Sequence, residues 1–160
     1  MNVYLDTIKN SLELIIPKTD IQHYFIGKPN SFSKVNADRG ICVIEPVSTD
    51  IVSVTTGLQD REDLAIRIII AKQIQEYAVR NAEKESGAQW LMRVMDGREP
   101  DRSPKTISVR YIARNNFRQW SNLQPATNID YESNNLENFA EGLVEATLTL
   151  QLTGIFQQPV

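Results

Sequence analysis

The hydrophobic and polar positions of this chain alternate most strictly near its end. Over Val144–Thr153, Val144, Ala146, Leu148, Leu150 and Leu152 fall on one parity, and Glu145, Thr147, Thr149, Gln151 and Thr153 on the other. Successive side chains of a strand point to opposite sides of the pleated backbone, so the run predicts a strand with one buried and one polar face. Leu64–Ala71 has the β-branched density to lie beside it, with Ile66, Ile68 and Ile70 on one face and Arg67 and Ile69 on the other. The polar face of the last strand has two readings. It is either a solvated outer face, or a face covered by or lining an assembly, because only Glu145 in it is charged.

A different period governs the start of the chain. Leu5, Ile8, Leu12 and Ile15 recur at spacings of three and four across Val3–Ile16, which predicts an amphipathic helix closed by Pro17. A second helical stretch, Glu76–Met95, would turn Ala78, Ala82, Trp90, Leu91, Val94 and Met95 inward, either as one helix or as two shorter ones divided at Gly87. Short strands are predicted at Ile21–Ile26, Ile41–Pro46, Ile51–Thr56 and Ile107–Ala113. Turns are predicted at Gly27–Asn30 and around Val47–Asp50, with loops at Ser31–Gly40, Gly57–Asp63 and Asp96–Lys105. Short linkers over Ile41–Lys72 favour an antiparallel meander, since a parallel crossover needs a dozen or more residues. Asn115–Gly142 is weakly periodic and long for a loop, and a polar tail closes the chain at 157–160. The order of elements predicts one α+β domain over residues 1–160, a mostly antiparallel sheet with helices packed on one face.

Composition changes this picture mainly by exclusion. The 160 residues suffice for a core without staples. A net charge of -3 argues against a general nucleic-acid binder. No apolar run is long enough to span a membrane, and the N-terminus lacks the basic and apolar regions of a signal peptide. One cysteine, Cys42, leaves no internal disulfide, and one histidine, His23, leaves no multi-histidine metal site within one chain.

The search for chemistry finds little. Gly27-Lys28 precedes Pro29 rather than Ser or Thr and lacks the upstream glycine of a phosphate loop, so a turn is the better reading. No Gly-x-Ser-x-Gly elbow is present. A Cys42–His23 dyad is formally available, but Cys42 lies between Ile41 and Val43, where a cysteine behaves as a small buried hydrophobe. Acidic residues cluster at Asp60, Glu62 and Asp63, interleaved with Arg61, and at Asp96, Glu99 and Asp101. Two close carboxylates would do acid–base work or take a divalent cation, which keeps a small metal-dependent enzyme as an alternative. Arg110, Arg114 and Arg118 interleave with Tyr111, Phe117 and Trp120. That pattern fits a packed strand running into a loop, a protein contact, or nucleic-acid binding.

The helix at the start, the run Gly40-Ile41-Cys42-Val43-Ile44-Glu45-Pro46, then Thr55-Thr56-Gly57 and Leu64-Ala65-Ile66-Arg67-Ile68-Ile69-Ile70 come in a suggestive order. A helix follows, then the late strand Glu145-Ala146-Thr147-Leu148-Thr149-Leu150. This arrangement resembles the tail-terminator and related head–tail joining proteins of long-tailed bacteriophages over most of residues 1–156. The resemblance implies a virion structural subunit, made in the host cytoplasm, that assembles as a ring of six copies without cofactor, metal or catalytic residues. The ring would cap the tail tube, meet the tube protein and the head connector or adaptor, and let DNA pass through its lumen. Another neck or tail-completion protein is the nearest alternative. Three surfaces become candidates for subunit or partner contacts: Gln59, Asp60, Arg61, Glu62 and Asp63; then Arg98, Glu99 and Arg102; then Arg114, Phe117, Arg118 and Trp120.

Overall fold

A computed structural model describes residues 2–28, 39–55, 59–73, 85–117, 128–131 and 143–157. The chain forms α1 (Asn2–Ile15), β1 (His23–Ile26), β2 (Ile41–Thr55), β3 (Gln59–Gln73), α2 (Gly87–Asp96), α3 (Val109–Phe117), β4 (Asn128–Asp130) and β5 (Leu143–Gln157). The strands make one sheet in the order β1-β2-β3-β5-β4. Every pairing is antiparallel except β1 with β2, which residues 27–40 are long enough to connect as a crossover. This is an α+β fold, with the described helices packed on one face of a mostly antiparallel sheet.

The two strands expected side by side do pair, and in the register their patterns require. Ile66, Ile68 and Ile70 of β3 stand opposite Leu150, Leu148 and Ala146 of β5, and Cys42 and Ile44 of β2 stand opposite Ile70 and Ile68. A slip of one residue would turn this whole apolar set toward the other face, so the pattern specifies the register. Against it pack Leu5, Ile8 and Leu12 from α1 with Ile16 just after it, Trp90, Leu91, Val94 and Met95 from α2, and Val109, Ile112 and Ala113 from α3. At the end of α1 the inward position is Ile16, whose N–H still donates to Leu12 O, not Ile15, which is 42% exposed.

Gly40 joins the layers. Its φ is +82°, a conformation that costs glycine little. A Cβ there would run into the Asp20 carbonyl oxygen, so no other residue fits between β2 and the turn after α1.

Four sequence expectations are corrected. Ile41–Pro46 and Ile51–Thr56 are not separate strands: Val47–Asp50 continues the single 15-residue β2, with a bulge at Val47 where Pro46 and Ser48 face consecutive residues of β3. Gln59–Asp63 is strand rather than loop, so β2 and β3 form one long hairpin. Ile107–Ala113 is not a strand. Val109, Ile112 and Ala113 are buried at helical spacing, Ile112 N donates to Ser108 O at 3.0 Å, and Ser108 Oγ accepts from Tyr111 N at 3.4 Å to cap α3. The stretch read as one loop over Asn115–Gly142 contains the end of α3 and the short strand β4. Of the second helical stretch the described part is a helix from Gly87, where Ser86 and Gln89 form a reciprocal capping box; residues 76–84, with Ala78 and Ala82, lie outside the described residues.

The sheet's second face is partly apolar too. Ile41, Val43, Ile69 and Ala71 form a small buried cluster there with Phe25 and Leu143 against it. Glu145 and Thr147 on the same face of β5 are also buried, at 7% and 4% exposure. At that end the polar face of the last strand is therefore covered rather than solvated, while Gln151 further along is exposed.

Candidate functional site

The three long strands do not end where the core ends. On the helix-covered face the last core side chains among the described residues are Ile44 of β2, Leu64 of β3 and Leu152 of β5. Beyond those positions the strands continue, paired, to Thr55, Gln59 and Gln157. We call this three-stranded extension the arm. Val47 and Ile51 are exposed on it, Ile51 at 64%.

The first predicted surface, Gln59–Asp63, therefore forms the middle strand of the arm. Strand alternation splits its acids: Glu62 lies on the parity of Leu64, and Asp63 on that of Arg61. Glu62 is close enough to help raise the Tyr4 hydroxyl above its ordinary pKa, an effect due first to burial of that ring. Arg61 and Asp63 form an exposed pair at 3.4 Å. Asp63 stands directly opposite Asp50 of β2. Beside them runs an open groove of about 510 Å³ whose walls include Ser48, Asp50, Arg61, Asp63 and Gln151.

The second predicted surface is more ordered than its composition implies. Lys105 N donates to Gly97 O at 2.8 Å and Glu99 N to Ser103 O at 2.9 Å, closing the loop into a tight hairpin. Arg102 takes a positive φ of 70° at its tip. Arg98 is held inside the loop, donating to Asp96 at 3.1 Å and to the Arg102 carbonyl at 3.2 Å. Asp96 also accepts from Arg110 at 2.8 Å, tying the loop to α3. Asp101 accepts from the Ser103 hydroxyl and amide, which holds its carboxyl below the usual range. Glu99 and Arg102 are exposed.

The third predicted surface is only partly described. Arg114 is exposed on α3, while Arg110, read as part of the same basic set, is drawn into the ion pair with Asp96. Phe117 ends α3, and Arg118 and Trp120 lie outside the described residues.

Sequence reasoning missed the strongest polar cluster. Arg93 of α2 donates twice to Asp20, at 2.7 and 3.0 Å, and twice to Glu85, at 2.6 and 2.9 Å. These bonds, first to Glu85 and then to Asp20, hold its guanidinium even more firmly protonated than usual. The cluster pins α2 to the turn after α1, and no local spacing announces a partner so far away in sequence. Arg67 pairs with Glu45 at 3.0 Å across β2 and β3 in the same structural way.

The enzymatic alternatives gain no geometry here. His23 stands opposite Ile41 and Tyr24 opposite Cys42, so His23 and Cys42 lie on different faces of the sheet. Cys42 is fully buried, and burial pushes its thiol well above the ordinary value. Asp96, Glu99 and Asp101 do not converge, because Asp96 turns to Arg98 and Arg110 and Asp101 to Ser103. Among the described residues no group of three or more His, Cys, Asp or Glu side chains is placed to hold a metal ion. Among them, too, no helix is long and apolar enough to cross a membrane.

What the arrangement offers is surface: an arm with charged flanks, and a braced, charged hairpin beside two helices. No protein-family model matches this chain, and no curated protein does either.

Proposed function

We propose that this protein is a virion structural subunit that forms a ring of six copies, capping the tail tube of a long-tailed bacteriophage and joining it to the head connector. The observation that carries the reading is the arm. Three 15-residue strands stay paired well past the last core side chains among the described residues. The excess gives each subunit an element with two dissimilar flanks, β2 on one side and β5 on the other. A ring closed by repeated head-to-tail contacts needs two different patches of that kind on every copy.

The order of elements in the sequence supports the same reading, since it is the order that resembles tail terminators. In this reading the protein catalyses nothing and holds no cofactor. Its partners are further copies of itself, the tube protein and the connector, and its place is the tail end of the virion. DNA would pass without being held, as an arm carrying Asp50, Glu62 and Asp63 repels phosphates.

Electron microscopy of particles made without this gene tests the proposal. Overlong or uncapped tails are expected. Tails of normal length that fail to join heads would move the protein to another position in the neck, and normal infectious particles would overturn the structural reading altogether.

A further inference from the structure

The two flanks of the arm are strand edges, and they are guarded differently. β1 pairs with β2 only over Ile41–Ile44, and β4 pairs with β5 only over Thr147–Thr149. Among the described residues both outer strands are therefore open along the arm. The β2 edge starts with Glu45, Pro46 and the bulge at Val47, and carries Asp50 further on. Charge, proline and bulges are the usual devices that keep an edge from recruiting another strand. β5 has none of them: from Ala146 to Gln157 it contains no charged residue, no proline and no register shift against β3.

We propose that the β5 edge over Gln151–Phe156 receives the β2 edge over Ser48–Ser53 of a second copy, so that neighbouring arms continue one another as a single sheet. The inference rests on the ring reading above and specifies its contact. Several observations lead to this occupant. The two stretches lie at matching heights, since both stand opposite Asp60–Ala65 of the same β3, and each runs about 20 Å at roughly 3.3 Å per residue. β2 and β5 are both antiparallel to β3, hence parallel to each other. A rotation about an axis running along the arm therefore sets β5 of one copy parallel to β2 of the next, with no strand reversed. Pairing β2 with β2 would bring Asp50 toward its own counterpart. Pairing β5 with β5 would leave every β2 edge open, whereas alternate β5–β2 pairing around a closed ring leaves no edge at all.

Hydrogen–deuterium exchange on the full chain tests this, comparing dilute protein with protein at concentrations where sedimentation shows the assembly. Amides of Ser48–Ser53 and Gln151–Phe156 should both slow about tenfold or more on assembly, while those of Ile66–Ile70, already central in the sheet, stay as they are. An assembly in which neither segment slows overturns the edge contact and leaves the ring reading standing. Slowing confined to Gln151–Phe156 overturns it in favour of a two-fold β5–β5 pair. Full protection of both segments in the dilute monomer overturns it as well, because the chain's own remaining residues would then occupy the edges. A chain that stays monomeric at every concentration overturns both the contact and the ring.

Discussion

The inner and outer halves of the same three strands show how little pairing alone says about what a strand is for. In β3 the inner half holds Ile66, Ile68, Ile69 and Ile70, all fully buried, and the outer half holds Asp60, Arg61, Glu62 and Asp63. Both halves pair on both sides with the same neighbours. Backbone hydrogen bonds contribute modestly in net terms, so the stability of the domain resides in the inner half, where about 2 kcal/mol accompanies each large side chain taken from water. The outer half is held as strand by pairing and is free in composition. That division puts the fold in one half and the contacts in the other.

Ile68→Ala is the sharpest way to test it. Ile68 is fully exposed to the helix layer and has no contact with solvent, and its loss should cost about 3–4 kcal/mol, read as a drop in the urea midpoint. Ile51→Ala in the arm of adjacent β2 removes nearly the same atoms from a side chain that is 64% exposed, and should change stability by less than about 0.5 kcal/mol. Comparable losses at the two sites would erase the distinction between core and arm.

The bracing between the helix layer and the first turn comes next. Asp20→Ala leaves Arg93 with Glu85 alone and removes a bidentate bond. Because Arg93 is 37% exposed, water screens part of the effect, and about 1–2 kcal/mol is expected from chemical denaturation. Substituting Glu85, the more exposed partner, should cost less.

The inner half also sets the response to alkali. Burial raises the Cys42 thiol above its ordinary 9.0. The Tyr24 phenol rises above its ordinary 10.0, first by burial and then through the charges of Cys42, Glu13 and Asp20. In both cases the folded state keeps a proton that the unfolded chain gives up. Their contribution is thus fully present below about pH 9 and is lost as pH climbs toward the folded values. Thermal melts should fall steadily above pH 9, and Cys42→Ala should flatten the first part of that fall, Tyr24→Phe the part beginning near pH 10. Melts of the two variants that track the parent at every alkaline pH would show that other groups carry the effect.

The same division explains what could be read from the sequence. Inner-half strands were legible because burial on one or both faces writes itself into parity, as in Ile66–Ile70 and Ala146–Leu152. The outer half was not. Val47–Asp50 and Gln59–Asp63 are rich in polar and charged residues, so they resemble a turn and a loop, and only pairing within the β2, β3 and β5 ladder makes them strand. Ile107–Ala113 failed for a different reason. Its alternate β-branched residues matched a strand, while the cap at Ser108 and the 109, 112, 113 spacing already favoured a helix. Ser86-Gly87-Ala88-Gln89 was a capping box in plain view, and the break read at Gly87 coincides with the start of a helix there. Of the candidate site, the charged character of Gln59–Asp63 and Arg98–Arg102 was legible. Their geometry was not, because partners such as Arg110 for Asp96 lie on other elements.

The smallest expected effect is the most informative about the arm. Asp50 and Asp63 face each other across β2 and β3, an arrangement of like charges that destabilises a sheet. Arg61 lies on the same face and approaches Asp63 at 3.4 Å, which offsets part of the repulsion but is itself an exposed, screened pair. Asp50→Lys would replace the repulsion with an attraction across the strands and should raise stability by about 0.2–1 kcal/mol at low salt, with the gain shrinking as salt is added. The substitution tests whether a requirement outside the monomer acts on these acids. If Asp50→Lys stabilises the isolated chain and weakens its assembly, that requirement lies in the contacts of the arm. If it stabilises both, the acids serve some other feature of the surface, and the groove beside them is the place to look.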